Sequence, residues 1–286
     1  MLRYLGRSCG GFLISDSLGC SVYTQSPSLD LVWSMVSLFA RPSRGLRVFV
    51  ATVLLGLVWS AFSPIIAQDS RNVPDEPGTI VVDDFEDDEL GAFPDGWVFV
   101  TEGEEIQSYE QTRESGEIVK VIREDGNRFV RLITKNEALR YTKRNGVDFD
   151  WNLEAHPRLK WQWRALELPE GASEKGKNDT GGAVYVTFGE DWLGRPKSIK
   201  YTYSSSLPVG TVVSFGPLKV IVVDSAVEPR HGEWQQVQRN VVNDYRQVFG
   251  GDPPNRPVSI TIWSDSDTTG DTAKVDIDDL KLLPPR

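Results

Sequence analysis

Sulfur is almost missing from this 286-residue chain: Cys9, Cys20, Met1 and Met35 are all of it, and all lie in the first 35 residues. Beyond Met35 no disulfide can staple the fold and no thiol chemistry is available. Histidine is as scarce, with only His156 and His231. There is no G-x-S-x-G elbow, so a serine or cysteine triad is not indicated. The absence of H-E-x-x-H removes the commonest zinc-protease signature. His231, in Pro229-Arg230-His231-Gly232, reads as a turn residue rather than a general base. Helical periodicity is nearly absent too, and residues 244–248 are the one stretch that suits a helical turn.

Long apolar runs are limited to one. Residues 48–66 carry no charge, follow Arg41, Arg44 and Arg47, and lead into Ala67-Gln68-Asp69. A basic flank, an apolar core and a small residue at the exit make a secretory signal, with Pro64 breaking the run before an Ile65-Ile66-Ala67 cleavage tripeptide. The expected organisation is a signal over 35–67 and a polar, proline-broken linker over 68–78, with residues 1–34 a mis-assigned start ahead of Met35. The folded domain would be exported, periplasmic or extracellular. The alternative is an uncleaved membrane anchor, because the run approaches the roughly 20 residues that span a bilayer.

Cleavage after Ala67 would leave 219 residues with 26 basic against 39 acidic side chains, a net charge of −13. Such a surface repels nucleic acid and anionic lipid, so neither is an expected partner after cleavage. A chain of this length buries enough surface for a core without covalent staples.

From residue 79 to 284 short strand-like runs alternate with turn formers such as Glu124-Asp125-Gly126-Asn127 and Asn178-Asp179-Thr180-Gly181-Gly182. Runs at 80–82, 97–100, 118–122, 129–133, 139–142, 159–166, 183–188, 199–203, 212–213, 219–223, 233–237, 258–263 and 274–282 predict a single all-β sandwich or jelly roll. In Leu159-Lys160-Trp161-Gln162-Trp163 the apolar side chains share one face, which assigns Trp161 and Trp163 to the core. Ile199-Lys200-Tyr201-Thr202-Tyr203 has the same alternation and reads as a half-buried strand.

Several motifs together resemble a bacterial family of unknown function, domain family 3047. They are Trp161-Gln162-Trp163, the Asn178-Asp179 turn before Val184-Tyr185-Val186-Thr187-Phe188, and Ile199-Lys200-Tyr201. An R-N-x-x-x-D-Y-x-x-x-F-G block over 239–250 and Asp265-Ser266-Asp267-Thr268-Thr269-Gly270 complete the set. That resemblance implies a fold and no activity. More loosely, Asp83-Asp84-Phe85-Glu86 and Val275-Asp276-Ile277-Asp278-Asp279-Leu280 resemble the opening and closing strands of jelly-roll carbohydrate-binding modules. That likeness implies adjacent terminal strands whose carboxylates, Glu86 and Asp278, hold a structural calcium.

Candidate sites follow from residue chemistry. Calcium takes six to eight oxygen ligands. Asp265 and Asp267 alternate in a glycine-containing loop as a calcium loop requires, but the closing EF-hand glutamate is missing. The competing reading is a solvated acidic turn. Arg239 and Asp244 read first as a buried ion pair pinning a loop, with Tyr245 packed beneath. A second reading has Arg239, Asn240, Asp244 and Tyr245 lining a cleft for sugar hydroxyls. Seven tryptophans follow residue 67. Trp192, in the polar turn Glu190-Asp191-Trp192-Leu193-Gly194-Arg195, is expected to be the most exposed and a platform for a sugar ring, with Trp151 next. The reading is an exported, non-catalytic binder of polysaccharide or an envelope component, with structural calcium. A polysaccharide hydrolase or lyase using a carboxylate pair stays open, as does a purely structural envelope protein.

Overall fold

The computed structural model describes residues 75–100, 106–109, 117–176, 179–228 and 232–286. The signal segment, residues 68–74 of the linker, both cysteines, Asn178 and His231 lie outside the described residues, as do the start and anchor expectations for the N-terminal part.

The chain folds into an all-β sandwich of two six-stranded sheets. The first sheet runs β12 (Gln235–Asn240), β7 (Arg158–Glu167), β14 (Thr272–Leu283), β5 (Asn127–Lys135) and β4 (Ile118–Glu124), with β1 (Ile80–Asp83) also paired to β14. The second runs β10 (Val212–Phe215), β11 (Leu218–Ser225), β9 (Pro196–Ser204), β8 (Thr180–Glu190), β13 (Ser259–Asp265) and β6 (Ala138–Arg144). From β5 to β8, and again from β12 to β14, successive strands switch sheets, as a jelly roll requires. A short ribbon, β2 (Phe99–Val100) with β3 (Ile106–Gln107), lies beside β6, where Val98 bridges to Thr142. The strand expected at 97–100 is therefore shorter, because Trp97 leaves the ladder to pack in the core at 3% exposure.

The core forms where the two alternating strands face each other. Trp161 meets Tyr201 with ring centroids 5.6 Å apart, and Trp163 meets Tyr203 at 5.5 Å. Each large aromatic buries roughly 150–250 Å², so these pairs dominate the cohesion of the layers. Trp163 Nε1 donates to Asp224 Oδ2 at 3.1 Å, which keeps its one polar atom satisfied.

Strand β9 departs from the half-buried expectation. Lys200, Thr202 and Ser204 on its outer side are as buried as Tyr201 and Tyr203 inside. The cause is the β7–β8 connection, which folds over that side. Its Glu174 accepts from Thr202 Oγ1 at 3.1 Å and Ser204 Oγ at 2.6 Å, while Ser206 Oγ donates to Ala172 O at 2.9 Å. Alternation alone cannot reveal such a cover, since it comes from residues far along the chain.

The helical turn expected at 244–248 is longer, α1 (Val241–Phe249). Asn240 caps its start, with Oδ1 accepting from Asn243 N at 3.0 Å. Gly250 ends it at φ 75°, where a side chain would be strained.

Candidate functional site

Trp192 stands on the turn between β8 and β9 and is 89% exposed, as expected of it. The turn is built around Asp191. Its Oδ1 accepts from Leu193 N and Arg195 N, each at 2.9 Å, and its Oδ2 accepts from Arg195 Nε at 2.9 Å and Nη2 at 2.7 Å. Asp191 N donates to Arg195 O, and Gly194 N to Asp191 O, both at 2.9 Å. The Arg195 hydrogen bonds hold the Asp191 carboxyl below its ordinary value. Arg195 also reaches Gly216, where an added Cβ would lie 3.5 Å from its Nη1, so the β10–β11 turn adjoins this one. Leu193 on the same turn and Phe215 at the end of β10 are also exposed.

Trp151 does not share that exposure. It is 0% exposed, which corrects its place among the ligand-stacking candidates. Asn145 locks it in: Oδ1 accepts from Trp151 N at 2.8 Å, while Nδ2 donates to Trp151 O at 2.8 Å and Pro257 O at 2.7 Å. The indole Nε1 donates to His156 O at 2.7 Å, so the side chain has nothing left to offer a ligand.

Of the two readings of the 239–250 block, the geometry matches the ion pair. Arg239 Nε donates to Asp244 Oδ2 at 2.9 Å and Nη2 to Oδ1 at 2.6 Å, a bidentate pair joined by Tyr201 Oη donating to Oδ2 at 2.9 Å. Burial works against the Arg239 charge, but the Asp244 bonds outweigh it and its pKa rises. Burial, then the Asp244 charge, lifts the Tyr201 hydroxyl well above its ordinary value. Tyr245 packs between Phe188 and Phe249, at 4.7 and 4.8 Å. A shallow groove of about 410 Å³ beside the helix is lined by Asn240, Asn243 and Arg246, not by Arg239, Asp244 or Tyr245. The cleft expected of these residues together is therefore not formed.

The terminal strands do lie side by side, Ile80 opposite Leu282 and Val81 opposite Lys281. The carboxylates there are otherwise engaged. Glu86 Oε1 accepts from Arg128 N at 2.8 Å, and Arg128 Nη1 donates to Glu86 O at 2.6 Å and Asp88 O at 2.7 Å. A guanidinium thus takes the backbone oxygens that a cation would need. Asp278 Oδ2 faces the nitrogen of Asn127 at 2.8 Å, and Oδ1 accepts from Asp279 N at 2.7 Å. Burial pushes the Asp278 carboxyl up to about 7, against the Asn127 hydrogen bond. This donor set does not fit calcium, which needs oxygens turned inward.

A different acidic group forms on the outer side of the second sheet. Asp179, Asp265 and Asp267 each bring one carboxylate oxygen within 4.8 Å of the others. Asp179 Oδ1 accepts from Thr268 N at 3.1 Å, and Oδ2 accepts from Thr269 N at 2.7 Å and Thr269 Oγ1 at 2.5 Å. Burial opposes the Asp179 charge, but the Thr269 and Thr268 bonds lower its pKa. Burial raises the Asp265 carboxyl to about 6 despite Lys200. Lys200 itself is fully buried, its Nζ has no hydrogen-bond partner, and burial lowers its pKa against the pull of Asp265, Glu174 and Asp179. Sequence reasoning named Asp265 and Asp267 but missed Asp179 and Lys200. The register of β8 on β13, which sets Thr180 opposite Asp265, is what brings Asp179 in.

Comparison with known proteins adds the following. No curated protein matches the chain. The chain is similar to solved β-sandwich modules, among them the family 11 carbohydrate-binding module of the cellulosomal cellulase Lic26A-Cel5E of Clostridium thermocellum. There the identity is 9% and the TM-score 0.38, over 73% of this chain and 95% of that one. The family 30 module of the cellulosomal cellulase Cel9D-Cel44B of the same organism is 13% identical, with a TM-score of 0.37, over 72% and 97%. The profile of the family described as protein of unknown function (DUF3047) matches residues 96–281, through both sheets and α1, and the chain belongs to that family.

Proposed function

We propose that the protein is an exported, non-catalytic binding module that holds a carbohydrate of the cell envelope or its surroundings against Trp192. One observation carries this reading: a large indole is 89% exposed on a turn that internal hydrogen bonds fix in place. A rigid aromatic face can stack on the C–H face of a sugar ring without losing much conformational freedom on binding. Arg195 beside it has guanidinium N–H groups beyond those spent on Asp191 to offer to hydroxyls. Export rests on the apolar run at 48–66 and its basic flank.

The test is a glycan array probed with the full chain and with Trp192→Ala. Binding to at least one polysaccharide is expected, at least tenfold weaker in the variant, with no reducing ends released. Equal binding by both proteins, or none by either, would reject this reading. Released reducing ends would replace it with the hydrolase alternative.

A further inference from the structure

We propose that Asp265, Asp267 and Thr269, closed by Asp179, form a site for a divalent cation of calcium's oxygen-seeking class beside the buried ammonium of Lys200. Independently of the carbohydrate reading, it starts from the loop. Asp265, Asp267 and Thr269 put oxygen-bearing side chains at the first, third and fifth positions, and Gly270 stands at the sixth. That is how calcium loops begin, the glycine permitting the sharp turn. Gly270 has φ 73°, and its N–H closes on Ser266 O at 2.9 Å.

The twelfth position, where a calcium loop supplies its last carboxylate, is Asp276. Arg131 and Arg164 already clamp that side chain on the other sheet. Asp179 takes over the role from a distant part of the chain. Oxygens from Asp179, Asp265 and Asp267 within 4.8 Å of one another suit a cation bound at about 2.3–2.6 Å, whose opposite ligands lie about 4.6–5.2 Å apart. Asp267 is exposed, which leaves the group open to solvent on one side.

Lys200 is the independent sign that something more belongs here. Its ammonium is fully buried without a hydrogen-bond acceptor, lies 5.7 Å from the centroid of the Tyr185 ring, and is acted on by the charges of Asp265, Glu174 and Asp179. A buried ion without hydrogen bonds is expensive, and so is a carboxylate group with too few cations. Three carboxylates act on this one ammonium, and none of them accepts a hydrogen bond from it. A hydrated cation supplies both the missing positive charge and oxygens to which an ammonium can donate.

The experiment uses the full chain, freed of metal with a chelator and titrated with calcium and, as a luminescent stand-in, terbium. Tyr185 and Trp263, with ring centroids 5.2 Å apart on the same side of the sheet, are the expected sensitisers. One saturable site is expected, with a dissociation constant of about 10⁻⁴–10⁻³ M, as in extracellular modules. Asp267→Asn, at an exposed position that should fold normally, is expected to weaken binding at least tenfold. Lys200→Met, which removes a competing positive charge, is expected to tighten it several-fold. No saturable binding, or binding unchanged by both Asp267→Asn and Asp179→Asn, would overturn the proposal. So would loss of binding in Glu86→Gln with Asp267→Asn unaffected, which would move the ion to the terminal strands.

Discussion

The outer sides of the two sheets both bury charge, and they resolve it in opposite ways. On the first sheet Asp276 is fully buried and accepts from Arg131 Nε at 2.6 Å, Arg131 Nη2 at 2.8 Å and Arg164 Nε at 2.7 Å. The strand register places all three residues in one row across β5, β14 and β7. Glu124 takes a further bond from each arginine, and both guanidinia lie over the Phe129 ring. The Asp276 bonds raise the Arg131 pKa in spite of burial. On the second sheet Asp179, Asp265 and Asp267 gather without an ion pair to Lys200, whose Nζ has no hydrogen-bond partner and lies over the Tyr185 ring. Full pairing marks a cluster that holds the fold. A surplus of one sign beside an orphaned donor marks a cluster arranged for something else.

The largest expected effect breaks the paired side. Asp276→Ala leaves two largely buried guanidinia with the more exposed Glu124 as their remaining carboxylate and should destabilise the chain by about 3–5 kcal/mol in urea unfolding. Asp265→Asn, measured without metal, should be within about 1 kcal/mol of wild type, because it relieves repulsion among the carboxylates and deprives no cation of a hydrogen bond. Equal losses in both variants would erase the distinction between the sheets.

A smaller effect concerns Asp278. Its folded pKa of about 7 lies above the roughly 3.9 of an unfolded aspartate, so the folded state binds the extra proton between those values. Its contribution to stability is full below about pH 4 and is lost as pH rises through about 7, up to ~4 kcal/mol for a shift of about three units. Asp278→Asn should flatten the decline between pH 5 and pH 8, measured by urea midpoints. Parallel curves for the two proteins would show that Asp278 is not the group responsible. The smallest effect is on the exposed side: Trp192→Ala should shift stability by less than about 0.5 kcal/mol. A larger loss would mean that the indole supports the fold.

The parts legible in sequence are those set by neighbours along the chain. Alternation placed Trp161 and Trp163 in the core, and the close spacing of Arg239 and Asp244 pointed to their pairing. Composition ranked Trp192 ahead of Trp151 but placed both among the exposed indoles, because each sits in a polar segment. What buries Trp151 is Asn145, which ties it to Pro257, over a hundred residues further on. Lys200 looked like a solvent-facing lysine because its cover, the β7–β8 connection carrying Glu174, leaves no trace in the period of β9. Asp179 joins the loop at 265–270 only through the β8–β13 ladder, a long-range pairing with no local signal.

Strand β14 carries one further consequence. Along one edge its first half pairs with β5 and its second half with β1, while its other edge is held by β7. Four residues at the beginning of the fold therefore plug a slot in the middle of a sheet. Without them the backbone of residues 280–282 is bared to any passing extended peptide. The segment that fits is residues 80–83 themselves, so a chain trimmed past Asp83 would accept that strand from an untrimmed copy or from a peptide of the same sequence.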